Sequence, residues 1–166
     1  MRFSVHTGVP TMTAIIYFSE MVLALLAAIV LLVTSRPRAS DAVVLFSGGI
    51  VAWTLGEYVV HRFVLHDLAP TQHRIHHAHP EEAIRRIFWQ IWVCFAIVYL
   101  IAGGVVLAGA LVAYAWYLFI HHSAHHSPDA LPTSLLKHHI SHHKFATRNY
   151  GVSTTLWDHV FRTMLR

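Results

Sequence analysis

The sequence predicts an all-α integral membrane protein: a four-helix transmembrane bundle, built as two hairpins, with a cytoplasmic helical cap rich in histidine. Three observations support this fold class. Apolar residues make up 55% of the 166 residues and charged residues only 12%, whereas soluble domains carry about 25% charged residues. Long uncharged stretches recur along the chain. Fourteen of the sixteen histidines fall in two groups, residues 61–79 and 121–143.

The composition also excludes several classes of protein. Too few charges are present to cover a water-soluble globule, and Cys94 is the only cysteine, which excludes a disulfide-stapled secreted scaffold. The formal net charge is only +4, and no run of lysine or arginine is long enough to indicate nucleic-acid binding. We therefore expect a membrane and no nucleic acid among the partners.

The first predicted hairpin joins two apolar segments. Residues 12–33 contain Glu20 as their only charge, and at about 1.5 Å per residue a helix of this length crosses a hydrocarbon core of about 30 Å. Proline and charged residues interrupt the pattern at positions 35–41. Residues 42–60 are then apolar again apart from Glu57. Two helices joined by a short turn are expected here.

The second predicted hairpin lies in residues 87–120, which contain no Asp, Glu, Lys or Arg. One helix of this length would measure about 50 Å, well beyond the bilayer core, so the segment is expected to fold back. Gly103 and Gly104 near its middle are the predicted turn, which leaves two arms of about 16 residues. An even number of crossings places both histidine groups on one side of the membrane.

The distribution of basic residues predicts which side that is. Under the four-helix arrangement, Arg36 and Arg38 lie on the side opposite the histidines. The histidine side carries ten basic residues, namely Arg2, Arg62, Arg74, Arg85, Arg86, Lys137, Lys144, Arg148, Arg162 and Arg166. Because cytoplasmic loops are enriched in Lys and Arg, the histidines are predicted to face the cytoplasm.

Ten histidines form four boxes of regular spacing, which are His61 and His66; His73, His76 and His77; His121 and His125; and His139, His142 and His143. Residues three and four apart share one face of a helix, so each H-x2-H-H box is expected to direct three imidazoles toward one point. Imidazole suits Fe, Zn, Cu and Ni, and no cysteine cluster indicates a thiolate site. Ten ligands exceed the roughly four to six that one ion takes, so two metals per chain are predicted.

Other polar residues near the boxes leave alternatives open. Glu57 lies one turn before His61, where its carboxylate is predicted to accept the free ring N–H of a ligand; the alternative is a salt bridge with Arg62 or Arg85. Glu20 fits either such a role or a packing hydrogen bond between helices. His6 and His159 lie outside every box, and His79, His122, His126 and His138 are out of step with the boxes. His6 and His159 are interpreted as half-buried polar residues at the membrane interface. For the other four, this interpretation is favoured and metal ligation stays the alternative.

These boxes, followed by Asn149-Tyr-Gly-Val-Ser-Thr154 and Trp157-Asp158, resemble the fatty acid hydroxylase/sterol desaturase superfamily of membrane dimetal oxygenases. The stretch from Trp53 to Phe63 is most similar to the fatty acid 2-hydroxylase branch. The chain is interpreted as one domain, residues 1–166, with a family-like core over about residues 52–163. One departure is Arg162, which stands between Phe161 and Thr163 where many members carry glycine.

The resemblance implies that the ten box histidines hold two iron ions, a centre in which zinc can appear in purified material, and that O2 is the co-substrate. It implies insertion of a hydroxyl at, or removal of hydrogen from, an unactivated C–H bond of a fatty acyl or sterol-like lipid. No cytochrome b5-like domain fits in the remaining residues, so a separate electron donor, ferredoxin-like or cytochrome b5-like, is expected.

Two alternatives to a lipid hydroxylase stay open at this point. The four boxes are also similar to those of bacterial carotenoid ring hydroxylases, although His122 follows His121 where those proteins usually carry Asp. A non-enzymatic metal-binding or transport protein would place ionisable ligands near the middle of the bilayer. This chain has Glu20 there and its histidine boxes at one surface, which favours an enzyme.

Overall fold

The computed structural model describes residues 11–80 and 88–165, and the elements within these ranges are helical. Of the residues discussed above, Arg2, His6, Arg85, Arg86 and Arg166 lie outside the described ranges. The main helices are α1 (Thr11–Ser35), α2 (Ala39–Val59), α3 (Pro70–Ala78), α4 (Phe88–Ala102), α5 (Gly104–His126), α6 (Thr133–Lys144) and α7 (Leu156–Val160). A π-helix, Val60–Leu68, continues α2, and a short 3-10 turn, Pro128–Ala130, precedes α6.

Three of the described helical segments are long and apolar enough to cross a membrane. They are Ile15–Ser35, Ala39–Leu68 and Gly104–His126. The fourth predicted segment is a shorter apolar helix, Trp89–Ala102. It has only 14 residues because the chain breaks at Gly103. The all-helical class is therefore confirmed for the described residues, with three candidate membrane spans of full length rather than the four predicted.

Helix α5 forms the centre of the fold, because α1 and α2 both pack along it. Its side chains are largely buried, among them Leu111, Tyr114 and Leu118 at 1% exposure each. Helices α1 and α2 instead expose long apolar faces, as Val43 and Val44 show at 69% and 70% exposure. Such faces suit contact with lipid rather than water.

The contact between α2 and α5 depends on two glycines. A Cβ atom on Gly49 would lie 2.0 Å from the Val106 carbonyl oxygen, and one on Gly109 would lie 2.0 Å from the Phe46 carbonyl oxygen. Each glycine therefore meets the backbone of the opposite helix directly. Small residues at such positions let transmembrane helices pack closely where no hydrophobic effect drives them together.

The predicted helix break after α4 is present at Gly103, whose φ of +84° is a conformation that glycine adopts without strain. A Cβ on the next residue, Gly104, would lie 2.4 Å from the Ser35 side-chain oxygen. The α4–α5 break and the α1–α2 connection therefore share one end of the protein. Helix α5 is longer than the expected arm and continues past Ile120 to carry His121 and His125.

Glu20 makes hydrogen bonds between helices in the apolar interior. Its Oε1 accepts from Trp92 Nε1 at 2.7 Å and from Tyr114 OH at 3.2 Å. These two contacts link α1 to α4 and α5. Of the two alternatives left open by the sequence, the structure shows the packing hydrogen bond, which satisfies a polar group that is costly to bury alone.

We predict that replacing either helix-contact glycine weakens the fold. Gly49→Ala or Gly109→Ala would force backbones apart and lower the free energy of unfolding by about 1–3 kcal/mol. Gly48→Ala is the matched control, because no atom lies within 4 Å of its added Cβ. Alanine is also the better helix former there, by about 1 kcal/mol. Thermal unfolding in detergent measures all three variants, and equal midpoints would contradict the close-contact argument.

Candidate metal centre

The first histidine box is carried by the π-helix. In an α-helix, residues five apart differ in direction by about 140°, so His61 and His66 would point away from each other. The π-helix forms hydrogen bonds between residues five apart, as from Ala69 N to the Val64 carbonyl at 2.7 Å. It therefore places the two imidazoles one above the other, with ring centroids 5.1 Å apart. This element explains the H-x4-H spacing.

The structure brings all ten box histidines together in two groups of five. Group 1 contains His61, His66, His73, His77 and His142, and group 2 contains His76, His121, His125, His139 and His143. Within each group, one nitrogen of every ring lies within 4.8 Å of those of the others. Each group therefore offers five nitrogen ligands around a common point.

Each H-x2-H-H box divides between the two groups, which corrects the expectation that its three imidazoles converge on one point. His73 and His77 belong to group 1 and His76 to group 2, while in α6 His139 and His143 belong to group 2 and His142 to group 1. The reason is helical phase, because consecutive residues point about 100° apart. Residues four apart stay together, and the histidine between them faces the other group.

In group 1 the ring nitrogens converge too closely for hydrogen bonding alone. His73 Nε2 lies 2.9 Å from His61 Nε2, 3.0 Å from His66 Nε2 and 3.1 Å from His77 Nε2. One ring nitrogen has either one proton or one lone pair, so it cannot satisfy three such neighbours. Metal–nitrogen bonds of about 2.1 Å at right angles place ligand nitrogens about 3 Å apart. The observed spacing fits nitrogens that share one ion.

Group 2 shows the same convergence and leaves buried nitrogens without partners. His121 Nε2 lies 2.9 Å from His76 Nε2, and His139 Nε2 lies 2.9 Å from His125 Nε2. Both ring nitrogens of His143 are buried and have no hydrogen-bond partner among the residues that the structure describes. An unsatisfied buried polar atom costs about 1–3 kcal/mol, and a bound ion would remove that cost at the ligating nitrogen.

Burial keeps the imidazoles in the form that binds metal. Loss of solvation is the main cause that lowers the pKa of His77 to about 4, of His142 to about 3 and of His143 to about 2, and neighbouring imidazoles lower each further. These rings are therefore neutral at pH 7. Neutral imidazole is the form that ligates a transition metal.

Two group 1 histidines are oriented by backbone carbonyls of residues 148–153, which we term the carbonyl loop. His142 Nδ1 donates to the Arg148 carbonyl at 2.7 Å, and His61 Nδ1 donates to the Tyr150 carbonyl. A proton held on Nδ1 leaves the Nε2 lone pair free for a metal. Such outer partners fix the ring and raise its basicity.

Glu57 holds one half of the carbonyl loop. Its carboxylate accepts the backbone N–H groups of Val152 at 2.8 Å and Ser153 at 2.9 Å, and it also accepts the Ser153 hydroxyl. Glu57 is thus connected to His61 of group 1 through the loop backbone. The predicted direct contact with the N–H of a ligand ring stays a prediction.

Asp158 holds the other half of the loop and is fully buried. It accepts the amides of Tyr150 at 2.9 Å and Gly151 at 2.7 Å, the Thr163 hydroxyl at 2.6 Å and His138 Nε2 at 3.0 Å. Burial alone would raise the pKa of Asp158, but these hydrogen bonds together hold that pKa below its usual value. Sequence reasoning assigned no role to Asp158, although the Trp157-Asp158 motif was the available signal.

The described histidines outside the boxes lie in neither group. His138 was expected at the membrane interface, but it is buried and paired with Asp158. The ring of His122 on α5 packs against Tyr17 and Phe18 of α1 and against His126. His159 is exposed.

Arg162 adopts a left-handed backbone conformation, with φ of +57°. This is the position where many members of the resembled superfamily carry glycine, and glycine takes such a conformation without strain. Its backbone is also in use, because the Arg148 side chain donates to the Arg162 carbonyl at 3.1 Å. Arginine at this position therefore carries a backbone strain that glycine would not.

The chain is similar to known fatty acid hydroxylases over the region that carries this site. The family model described as fatty acid hydroxylase matches residues 46–163. The dihydroceramide fatty acyl 2-hydroxylase FAH2 of Arabidopsis thaliana is 31% identical, over 70% of this chain and 58% of its own length. The fatty acid 2-hydroxylase of Mus musculus is 30% identical, over 73% of this chain and 39% of its own length. The chain thus spans 58% or less of these curated relatives.

A solved structure of full-length scs7p, in which only the hydroxylase domain is visible, is also similar. It superposes with a TM-score of 0.66 and 27% identity, over 95% of this chain and 65% of that chain. The likeness extends over both the apolar helices and the histidine-bearing ones.

We predict that the loss of one histidine from either group lowers the metal content of the protein. His142→Ala in group 1 and His143→Ala in group 2 should each lower the metal bound per chain by about one ion, because each removes a ligand from a different point of convergence. His159→Ala is the control, since that side chain is exposed and belongs to neither group. Elemental mass spectrometry on detergent-purified protein gives the count, and unchanged metal in both variants would refute the ligand assignment.

We also predict that Arg162→Gly stabilises the protein. The left-handed conformation costs a residue with a Cβ about 1 kcal/mol, and glycine escapes that cost. Arg162→Ala removes the same side chain but keeps the strain, so it is the matched control. The thermal midpoint of the glycine variant should exceed that of the alanine variant; the reverse order would mean that strain does not govern this turn.

Proposed function

Because this chain belongs to the fatty acid hydroxylase family, we propose that it is a membrane enzyme that hydroxylates a lipid acyl chain with O2 and a histidine-bound pair of iron ions. The observation that carries this proposal is the presence of two groups of five converging imidazoles at one end of a set of apolar helices. Family membership supports lipid hydroxylation, and the ligand chemistry supports a pair of metals.

The proposed ligands are the ten histidines of groups 1 and 2, five for each ion. Neutral nitrogen ligands suit iron, and zinc is accommodated by the same donors, so purified material can carry zinc. When bound, the two iron ions would activate O2 for attack on an unactivated C–H bond, which is chemistry that no amino-acid side chain can provide. The protein's own contribution is to hold the ten rings and to exclude water, since His61, His76 and His142 are each 5% exposed or less.

Glu57 is proposed to act as a positioning residue for this centre. Its hydrogen bonds to the Val152 and Ser153 amides support the carbonyl loop, and the Tyr150 carbonyl of that loop orients His61. A change at Glu57 would therefore reach the metal through the loop backbone.

The substrate is proposed to be the acyl chain of a membrane lipid. The relatives described above are named for fatty acids and dihydroceramide acyl chains, which favours this class over a carotenoid ring. The exposed apolar faces of α1 and α2 suit contact with such chains and support this proposal. A transport function has less support, because Glu20 is engaged in hydrogen bonds with Trp92 and Tyr114.

In the membrane, we propose a four-helix arrangement of two hairpins, with α4 as the fourth and shortest span and the histidine-rich helices as a cytoplasmic cap. The proximity of Ser35 and Gly104 supports the two turns lying at one end. Arg36 and Arg38 are the described basic residues near that end. The other described basic residues lie in the segments that carry or flank the histidine boxes, which supports a cytoplasmic position for those segments. Residues 1–166 are proposed as one domain, with the family-like core at about residues 52–163.

An electron donor is required by the stoichiometry of the proposed reaction. Insertion of one oxygen atom into a C–H bond reduces the other oxygen atom to water and consumes two electrons and two protons. We propose that a separate ferredoxin-like or cytochrome b5-like protein delivers these electrons to the cytoplasmic face.

The proposed activity predicts an oxygen-labelled lipid product. The full chain, expressed with added iron and supplied with isotopically labelled O2, should yield acyl lipids that contain one labelled oxygen, detected by mass spectrometry. His142→Ala should abolish the product because it removes a group 1 ligand, and His159→Ala should retain it. Iron-loaded protein that receives electrons and forms no labelled lipid would overturn the proposal, and a labelled carotenoid would favour the alternative.

A further inference from the structure

The two histidine groups differ in how the outer ring nitrogens are held. In group 1, His61 and His142 donate Nδ1–H to carbonyls of the carbonyl loop. In group 2, three Nδ1 atoms are buried without a hydrogen-bond partner in the described part of the chain, those of His76, His139 and His143. His121 Nδ1 lies 3.3 Å from the Tyr117 hydroxyl, a side chain of its own helix. The outer support is therefore concentrated on one group.

This difference has a direct consequence for metal affinity. An outer partner fixes the tautomer and direction of a ligand ring, and its loss typically lowers metal affinity by about 10- to 100-fold. We propose that the two metal positions are unequal: group 1 binds its ion first and releases it last, and Asp158 is the positioning residue that sets this order. The inference rests on the proposed function only in taking both groups as metal sites.

Asp158 suits this role because of what it holds. Its carboxylate binds the amides of Tyr150 and Gly151, so it places the Tyr150 carbonyl against His61. The fit is close, since a Cβ on Gly151 would lie 3.0 Å from Asp158 Oδ2 and 2.2 Å from the Thr154 carbonyl oxygen. An asparagine at position 158 would present an N–H₂ group in place of one acceptor oxygen, and at least one of these bonds would be lost.

The rest of the loop has its own attachment. Glu57 binds the next two amides, those of Val152 and Ser153, from α2. A change at Asp158 is therefore expected to move the Tyr150 carbonyl while Val152 and Ser153 stay in place. In group 2, the buried Nδ1 atoms of His76, His139 and His143 have no hydrogen-bond partner in the described part of the chain. Asp158 also bonds His138, the neighbour of His139 on α6, so a change at Asp158 should lower the metal affinity of group 2 less than that of group 1.

The test measures zinc binding, which needs no turnover. Metal-free full-length protein in detergent is titrated with Zn²⁺ against a chromophoric chelator, and the release of each ion to excess chelator is timed. The wild-type protein should bind two ions with affinities that differ at least tenfold. His143→Ala should keep the tight site, and His142→Ala should lose it.

Asp158→Asn should weaken the tight site by about 10- to 100-fold and change the affinity of the weak site by a clearly smaller factor. Asp129→Asn, at an exposed carboxylate in the 3-10 turn, is the control and should change neither. Parallel loss of both ions in Asp158→Asn would show a merely structural role and overturn the assignment of Asp158.

The wild-type titration decides the inequality even where a variant fails to fold. Two ions of equal affinity would overturn this inference and leave the proposed hydroxylase intact. No bound zinc at all would overturn both. A tight site that survives in His142→Ala and is lost in His143→Ala would reverse the order and also overturn the inference.

Discussion

Ten imidazoles with converging nitrogens are the constraint on which the rest of this structure depends. Nitrogen atoms about 3 Å apart in a buried place repel or compete for protons unless a shared partner satisfies them. Burial keeps these rings neutral, so the repulsion of charge is avoided and each ring retains a lone pair. The same burial makes the unpartnered nitrogens of His143 costly. The arrangement is therefore one that a metal ion would stabilise, and the surrounding helices must hold it in register.

The helices provide that register through close packing and a few polar contacts. Gly49 and Gly109 bring α2 and α5 into backbone contact. The π-helix that continues α2 carries the first box and α5 carries the third, so this contact holds the two boxes side by side. Glu20 connects α1, α4 and α5 in an interior where its hydrogen bonds have no competition from water. A small displacement along these helices would move imidazoles relative to one another, because four separate segments contribute to the two groups.

Helical phase explains why the centre is double. The α3 and α6 boxes each hold a pair four residues apart and one histidine between, and each box sends its pair to one group and the remaining histidine to the other. Both segments thus tie the two groups together, so neither group can move alone. The carbonyl loop adds support mainly to group 1, through carbonyls held by Glu57 and Asp158. The centre is symmetric in its ligand count and asymmetric in its surroundings.

The sequence alone determined the membrane class, the break at Gly103 and the ten histidines that come together, because hydrophobic length, glycine and residue spacing act within one segment. Only the tertiary structure decided how those ten divide into two groups, because spacing gives the direction of a ring about its own helix and not the position of neighbouring helices. The π-helix that aligns His61 with His66 and the burial of His138 against Asp158 were likewise beyond the pattern. The first is a change in local hydrogen bonding that residue spacing does not record, and the second is a contact between residues 20 positions apart in the chain.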